Sequence, residues 1–562
     1  MRLGCACRWS LSVIQPCLHS AAPRSRRASG LAQQSVKEAI LSSQPNSNGV
    51  FQDQISHQEV GRLAKKGAGA TIVSGAMGLV MQILSTAVLA RLLLPRDFGL
   101  VTMVTTFSLL IMNFGLNGFT EAIVQRAEIT HALISNLFWI NVSCCTALAL
   151  GFGACGPWLA GMYGDPRIIG VARALSLTIF FTGLQVAHLA LLKREMRFTA
   201  VSANDLVSRA LSVLVSIVLA LLGWEYWALV GGAIAIPVCS CVGAWILCRW
   251  VPQWPSRAPG TGAMVKFAVN IYGRFTTGYF TNNVDNFLVG WRLGAVELGY
   301  YKKAYDLFIL SSNQLSSGLT IVAVSALRRL LSDPEQYRRY LLNALSVMTF
   351  IGMGISGVLT LTGRDLIFVV MGPRWHESGQ LFTFFSPGIG FMLLYFTHVW
   401  IHLSLGRPDR WFRWGFVDLV VTTLLLFAGV HWRAQGVAIA WGVSYLLITF
   451  PALWYAGRPI HLKITPIVSD VGKYLSASLL AYAAAFSAFY LFPRLQARAD
   501  MGGAITRLGL GATLFAVVYL ALVVAIYRST APVRQLLGLA RELVSRNTES
   551  LVSGELESSE AG

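Results

Sequence analysis

The densest run of polar and ionisable side chains in this chain lies within an otherwise apolar stretch, residues 267–290. Its members are Asn270, Tyr272, Arg274, Thr276, Thr277, Tyr279, Thr281, Asn282, Asn283, Asp285 and Asn286. At 100° per residue, Arg274, Thr277, Thr281 and Asp285 fall near one face of a helix. Ionisable groups are costly inside a membrane and usually face an interior cavity. We therefore predict a cavity wall; the alternative is a static core in which neighbouring helices satisfy these groups.

Two further stretches carry candidate residues. Asn113 and Asn117 lie one turn apart within residues 98–120 and are expected to continue the polar lining. Arg91 ends the preceding stretch. It is either a gate residue or a cation whose apolar stem reaches the membrane interface.

Four positions are assigned to ligand arrival, coupling or bending. Gln125 and Arg126 follow the second stretch and either receive an incoming ligand or belong to a solvated loop. Asp285 is a candidate cation site, proton site or gate. Gly278 is a candidate bending point, because glycine within a helix lowers the cost of deformation.

Three weaker candidates remain. His398 and His402 have the i,i+4 spacing of a metal pair, but no acidic third ligand stands nearby, which favours a role in helix packing. Asp418 is a lone acid whose expected partner is Arg413 or Arg410. We predict no metal and no cofactor.

These residues require membrane-spanning helices to position them. Of 562 residues, 55% are hydrophobic and 13% are charged, whereas soluble domains carry about 25% charged residues. About fourteen stretches reach the length of roughly 20 residues that spans a bilayer. They cover approximately 70–93, 98–120, 133–157, 168–191, 206–223, 226–248, 267–290, 298–325, 341–362, 379–403, 411–430, 434–456, 470–492 and 503–527. The prediction is an all-α polytopic membrane protein.

The basic residues set the expected orientation. The net charge of +19 is spread over short loops without interleaved aromatic residues, which excludes a nucleic-acid surface. Lys and Arg are more frequent in the loops on the side of the N-terminus, and cytoplasmic loops carry such an excess. We predict a multi-pass protein of the inner (plasma) membrane with both termini in the cytoplasm.

Four segments of the first six stretches recur in order in the next six. VLARLLLPRDFGLV (88–101) corresponds to FLVGWRLGAVELGYY (287–301), and LAGMYGDPRI (159–168) to IFVVMGPRWHES (367–378). The inner segment LLKREMRF corresponds to SLGRPDRWF, and the hairpin LLGWEYWALVGGA to AGVHWRAQGVAIA. Such order predicts two six-helix bundles related as parallel repeats, a common arrangement in transporters.

The set LARLLLPRDFGLV, EAIVQRAEIT, ISNLFWIN, MYGDPRI, KREMRF, NNVDNFLVGWRLGAVELGYYKKAY and GPRWHES closely resembles the polysaccharide exporter family. This family is the O-antigen and colanic-acid flippase branch of the multidrug/oligosaccharidyl-lipid/polysaccharide exporter superfamily. The resemblance covers residues 62–490. It implies two six-helix bundles around a central cavity, and flipping of an undecaprenyl-diphosphate-linked oligosaccharide to the outer leaflet by alternating access. It also implies that a polysaccharide polymerase and glycosyltransferases act beside this chain.

The resemblance assigns the polar residues their roles. Arg274 would contact phosphate, while asparagine and threonine side chains would contact sugar hydroxyls. No P-loop, GxSxG, HExxH or dinucleotide fingerprint is found, so we predict no enzyme. Two alternatives stay open: an ion-coupled drug or small-molecule antiporter of the same superfamily, and a membrane glycosyltransferase or polymerase.

The chain divides into five predicted regions. They are a disordered cytoplasmic tail (1–66), a first six-helix bundle (67–250), a second bundle (251–460), two additional spanning helices (461–530) and a cytoplasmic C-terminal tail (531–562). The Arg- and Ser-rich, acid-poor start of the tail is also typical of transit peptides.

Overall fold

The computed structural model describes residues 50–51, 57–126, 129–491, 500–530 and 534. Nearly all of these residues are helical, and the one sheet among them is a pair of two-residue strands. In it, Val50–Phe51 (β1) pairs antiparallel with Ile129–Thr130 (β2). Most of the predicted tails lies outside the described residues.

The first half contains seven helices. They are α1 (His57–Leu92), α2 (Pro95–Gln125), α3 (His131–Ala154), α4 (Gly156–Tyr163), α5 (Arg167–Arg194), α6 (Phe198–Leu221) and α7 (Tyr226–Cys248). A non-helical linker, residues 249–260, leads to the second half.

The second half contains eight helices, with short 3-10 turns between several of them. The helices are α8 (Thr261–Thr281), α9 (Val284–Arg329), α10 (Pro334–Met371), α11 (His376–Phe385), α12 (Ile389–Phe396), α13 (His398–Ser404), α14 (Pro408–Gly429) and α15 (Arg433–Gly457). Non-helical backbone at Gly294 (φ 84°, ψ 179°) breaks α9 into two helical segments that meet at a kink. Two more, α16 (Thr465–Leu491) and α17 (Met501–Tyr527), follow and pack together against α10.

The predicted all-α polytopic fold is confirmed. Every predicted stretch overlaps helical residues, and ten segments among those described are long and apolar enough to cross a membrane. One of the ten, residues 408–460, contains both α14 and α15. The number fourteen stays a prediction.

The structure corrects two predicted boundaries. Helix α1 begins at His57, so residues 57–66 belong to a helix and not to the N-terminal tail. The seventh stretch is broken: α8 ends at Thr281, and Asp285 lies on the next helix. At the break, the side chains of Asn282 and Asn283 donate to backbone carbonyls one turn earlier, at 2.9 and 3.0 Å. Such local bonds compete with continuation of a helix.

The two halves meet along α2, which crosses α9 at two reciprocal glycine contacts. A Cβ built on Gly99 would lie 1.7 Å from the carbonyl oxygen of Ala295, and a Cβ on Gly299 would lie 1.8 Å from that of Pro95. Gly99 and Gly299 occupy matching positions of the repeat, in DFG and ELG. We call the membrane face with these contacts the turn face, and the opposite one, with linker 249–260, the linker face.

Candidate functional site

The second half encloses a cavity of about 510 Å³. Its lining residues are Ile271, Phe275, Gly278, Thr281, Asn282, Tyr395, Phe396, His398, Val399, Trp411, Phe412, Gly415, Asp418, Trp441 and Tyr445. They come from the end of α8 and from α12, α13, α14 and α15. The cavity therefore lies within one half, whereas two-half transporters are expected to hold their substrate at the seam.

Helix α8 presents one face to this cavity. Ile271, Phe275 and Gly278 recur with the spacing of one helical face, and Thr281 with Asn282 extends the lining to the helix end. No atom lies within 4 Å of a Cβ built on Gly278, so its side-chain position opens into free space. The face combines aliphatic, aromatic and polar groups.

Tyrosines on another face of α8 bind the first half. The Tyr272 hydroxyl donates to the backbone carbonyl of Leu110 at 3.2 Å, and the Tyr279 hydroxyl to that of Thr106 at 2.7 Å. Near the linker face, a Cβ on Gly118 would lie 2.7 Å from the carbonyl of Ala268. Since α2 also touches α9 at the turn face, described contacts join the two halves near both ends of α2 and between them.

Asp285 lies behind the cavity wall, where it is fully buried. Its Oδ2 accepts from the Tyr301 hydroxyl at 2.7 Å and from Trp441 Nε1 at 3.1 Å, while Oδ1 accepts from the backbone N–H of Asn286 at 2.7 Å. Trp441 itself lines the cavity. The carboxylate is thus one hydrogen bond removed from the cavity surface.

Asp418 lines the cavity directly and has partners other than those expected from the sequence. Its carboxylate accepts from the Tyr395 hydroxyl at 2.8 Å and from Thr422 at 3.0 Å. Of the two predicted partners, Arg410 instead lies over the Tyr455 ring, 4.4 Å from its centroid. Neutral hydroxyls rather than a cation hold Asp418, because Tyr395 on α12 reaches it across the bundle.

The histidine pair is buried at the same wall. His398 lines the cavity, and its ring lies 5.8 Å from that of His402. The Nε2 atoms of both rings are buried without a protein partner. Among the described residues, no group of three or more His, Cys, Asp and Glu side chains could hold a metal ion.

Several predicted site residues fall outside what the structure describes. The side chains of Arg274, Thr277, Asn117 and Gln125 are not among the described ones. Position 274 lies in α8, four residues and about one turn before Gly278. The assigned roles of these four residues stay predictions.

The remaining asparagines of the predicted lining are engaged locally. Asn113 donates to the carbonyl of Leu109 at 2.7 Å within α2. Asn286 is buried and donates to the side chain of Asn283 at 3.3 Å, while its own Oδ1 has no protein partner. Neither Asn283 nor Asn286 lines the cavity.

The two predicted surface arginines lie at opposite faces, where Arg91 contacts the second half and Arg126 contacts the linker. At the turn face, Arg91 donates to the carbonyl of Val369 in the last turn of α10 at 2.9 Å. At the linker face, a Cβ on Gly260 would lie 2.7 Å from the guanidinium of Arg126, which places this guanidinium against the linker. Arg91 therefore joins the two halves at the turn face, and Arg126 packs against the segment that connects them.

Sequence reasoning missed a charged cluster on α9. Lys302 Nζ lies 3.0 Å from Asp306 Oδ1, and Lys303 Nζ lies 3.7 Å from Asp306 Oδ2. Lys303 also lies 4.4 Å from the ring centroid of Phe98 on α2, so the cluster faces the seam. The signal was the i,i+3 and i,i+4 spacing of two cations and an acid.

The chain is similar to a known protein family and to membrane transporters of solved structure. Residues 88–380, more than half of the chain, match the family described as polysaccharide biosynthesis protein. The succinoglycan biosynthesis transport protein ExoT of Rhizobium meliloti (strain 1021) is 22% identical over 469 residues, covering 83% of this chain and 93% of the relative. Among solved structures, the lipid II flippase MurJ in an inward closed conformation has a TM-score of 0.64 at 13% identity, covering 82% of this chain and 98% of that one. An inward-facing multidrug transporter of the MATE family has a TM-score of 0.56 at 12% identity, covering 71% and 99%.

Proposed function

The chain belongs to the polysaccharide biosynthesis protein family, and from this premise we propose that it is a flippase for a lipid-linked oligosaccharide. Its substrate would be an undecaprenyl-diphosphate-linked glycan used to build a surface polysaccharide. The relatives support this class: ExoT is named for succinoglycan transport, and MurJ is named as a lipid II flippase. We expect transport without enzymatic turnover of the glycan.

The observation that carries the proposal is a pair of half-buried lysines at the seam of a two-half membrane fold. Lys303 lies over the ring of Phe98 on a helix of the opposite half, and Lys302 precedes it on α9. An anionic headgroup that leaves water needs such cations, because burial of an unpaired charge is costly. Lys side chains bind phosphate as compact point charges.

The limited size of the cavity supports alternating access. Its 510 Å³ falls within the range of about 300–1,000 Å³ that suits small ligands, and a glycan attached to a long lipid is much larger. The seam along α2 must therefore open for the substrate, with Gly278 as the bending point of α8. Asp418 lines the cavity and Asp285 lies one hydrogen bond behind its wall, where a cation or proton could drive the change.

We assign the remaining roles as parts of the same proposal. Arg274 contacts phosphate, and Arg91 belongs to the gate at the turn face. Gln125 and Arg126 first contact the incoming substrate. The sugar-binding set is Thr277, Thr281, Asn282, Asn283, Asn286, Asn113 and Asn117. Transport runs from the inner to the outer leaflet of the inner membrane, with both termini cytoplasmic, and the product passes to a polysaccharide polymerase.

A second candidate function is antiport of a small lipophilic cation. The observation that favours it is the aromatic wall of the cavity, which includes Phe275, Trp411, Phe412 and Trp441, because aromatic faces attract cations. The MATE-like fold is compatible with this function. A glycosyltransferase is disfavoured, because α10 extends to Met371 and leaves only a short turn where a catalytic outer loop would be expected.

The test uses a deletion strain of the source organism. Its lipids are extracted and analysed by mass spectrometry for an accumulated undecaprenyl-diphosphate oligosaccharide. The strain is complemented with the wild type, with Arg274→Ala, and with Arg209→Gln as a control for loss of one cation. Arg209 is half-exposed and pairs with Asp205 on its own helix.

We expect the trapped lipid to be cleared by the wild type and the control but not by Arg274→Ala. If no lipid accumulates and surface polysaccharide is unchanged, the flippase proposal is wrong. Increased sensitivity to lipophilic cations in that strain would instead support the antiporter.

A further inference from the structure

Three of the charged side chains on α9, those of Lys302, Lys303 and Asp306, form a cluster of unequal charge. Asp306 bridges the ammonium groups of Lys302 and Lys303, at 3.0 and 3.7 Å. The side chains of Lys302, Lys303 and Asp306 are 26%, 13% and 38% exposed. One carboxylate bridges two cations, so these three side chains together carry one net positive charge. The buried carboxylate of Asp285 also interacts electrostatically with Lys302.

The cluster lies immediately inside the closed contact of the turn face. Lys302 and Lys303 follow Gly299 by three and four residues, which is about one helical turn. Phe98, whose ring contacts Lys303, immediately precedes Gly99 on the opposite side of the same contact. An anion held by these lysines would therefore touch both halves just below the contact that closes the seam.

The pair geometry differs from that of an ordinary helix-surface ion pair. Asp205 and Arg209 also form an i,i+4 pair, at 2.8 Å, but both side chains are about half-exposed and contribute one charge each. In the α9 cluster, the acid is more exposed than either lysine. It is therefore the member that can leave most readily when another anion arrives.

We propose that Asp306 is an internal counter-anion that competes with the diphosphate of the substrate for Lys302 and Lys303. This inference rests on the proposed flippase function. In the empty protein, Asp306 offsets the lysine charges and keeps the seam closed. A diphosphate carries more negative charge than one carboxylate, so it displaces Asp306, and the return of Asp306 then promotes release.

The competition predicts opposite effects for the acid and the lysines. Asp306→Asn removes the carboxylate that forms ion pairs with both lysines. A diphosphate should therefore bind about five- to tenfold more tightly and be released more slowly, as expected for a modest coupling. The double variant Lys302→Gln/Lys303→Gln should lose at least about tenfold in affinity.

The experiment measures binding of farnesyl diphosphate to the purified full-length chain in lipid nanodiscs, with farnesol as the uncharged reference. The variants are Asp306→Asn, Asp306→Glu, the double lysine variant and Asp205→Asn, which removes an acid from the matched surface pair. Asp306→Glu and Asp205→Asn should bind as the wild type does. Melting temperatures are recorded for each variant.

Export in the complemented deletion strain provides the second measurement. Asp306→Asn should bind the probe more tightly and yet clear the trapped lipid more slowly than the wild type. If the ion pair is merely structural, Asp306→Asn should have a lower melting temperature and should bind the probe as weakly as the wild type or more weakly. That result would overturn the inference.

Failure of the two proposals can be distinguished. If the wild type clears the trapped lipid but Asp306→Asn does not strengthen diphosphate binding, the inference of a counter-anion is wrong, while the proposed flippase function is unaffected. If no lipid accumulates in the deletion strain, the proposed flippase function is wrong, and the inference that rests on it is wrong as well.

Discussion

The reciprocal glycine contact of the turn face allows a sharp prediction. Alanine at position 99 would place its Cβ 1.7 Å from the carbonyl oxygen of Ala295, whereas real Cβ contacts are essentially never below 3.0 Å. The two backbones would have to separate by about 1.3 Å to reach even that limit. Neither atom is the flexible end of a side chain, so the closed contact between α2 and α9 must loosen.

The magnitude follows from the cost of overpacking. Insertion of a methyl group into a packed site costs about 1–3 kcal/mol. If this cost applies only to the closed form of the turn face, the population of the open form rises about five- to 150-fold. The effect acts on the equilibrium between two states and does not require unfolding.

Accessibility at Met103 provides the assay. This residue is 1% exposed on α2, one turn from Gly99, and a Cβ on Gly290 of α9 would lie 3.3 Å from its side chain. Met103→Cys, in a background without native cysteines, is labelled with a membrane-impermeant maleimide from the outside of intact cells. Gly99→Ala should accelerate labelling by at least about fivefold, and Gly299→Ala should do the same.

Gly161→Ala is the matched control, because no atom lies within 4 Å of a Cβ built there. The two gate substitutions should also be non-additive, since separation forced by one methyl group makes room for the other. Labelling of Gly99→Ala at the rate of the control, with normal expression, would refute the assignment of this contact as the closed gate.

Three further outcomes are expected. Gly278→Leu should leave folding intact, because its side chain enters open space in the cavity, and should slow export; loss of expression without a transport-specific defect would contradict this. Tyr301→Phe removes a donor to Asp285 and should lower stability by about 1–3 kcal/mol; a melting temperature equal to that of the wild type would show that this bond is dispensable. Arg167 lowers the pKa of Asp165 chiefly through a direct hydrogen bond. The pair should therefore stabilise the fold at pH values above the usual aspartate pKa. This stabilisation should be lost as the pH falls through the lowered pKa. The melting temperature of Asp165→Asn should be below that of the wild type at about pH 7, and the difference should shrink at about pH 3; a constant difference would contradict the linkage.

Local sequence patterns were sufficient for the helices and for the repeat. Long apolar stretches predicted spanning helices because backbone groups must be satisfied within each segment inside a bilayer. The correspondence between DFG and ELG identified the positions of Gly99 and Gly299 before their contact was known. Such features depend on neighbours in the chain, which the sequence states directly.

Sequence patterns could not predict which side chains contact one another across helices. Helical periodicity grouped Thr281 with Asp285, yet the chain breaks at Asn282 and Asn283, whose side chains bond backward to the helix. The sequence also assigned Asp418 an arginine partner, while the structure gives it Tyr395 from another helix. Periodicity defines which residues share a face, but it does not say which helix packs on that face.

The sequence by itself determined an all-α membrane protein with two related halves, because hydrophobic length and repeat order are properties of the chain. Only the tertiary structure decided that the cavity lies within the second half and that Lys302, Lys303 and Asp306 face the seam. The reason is that cavities and charge clusters arise where separate helices meet. The angle and register of these contacts depend on close packing. At Gly99, the two helices can approach this closely only because the residue has no Cβ.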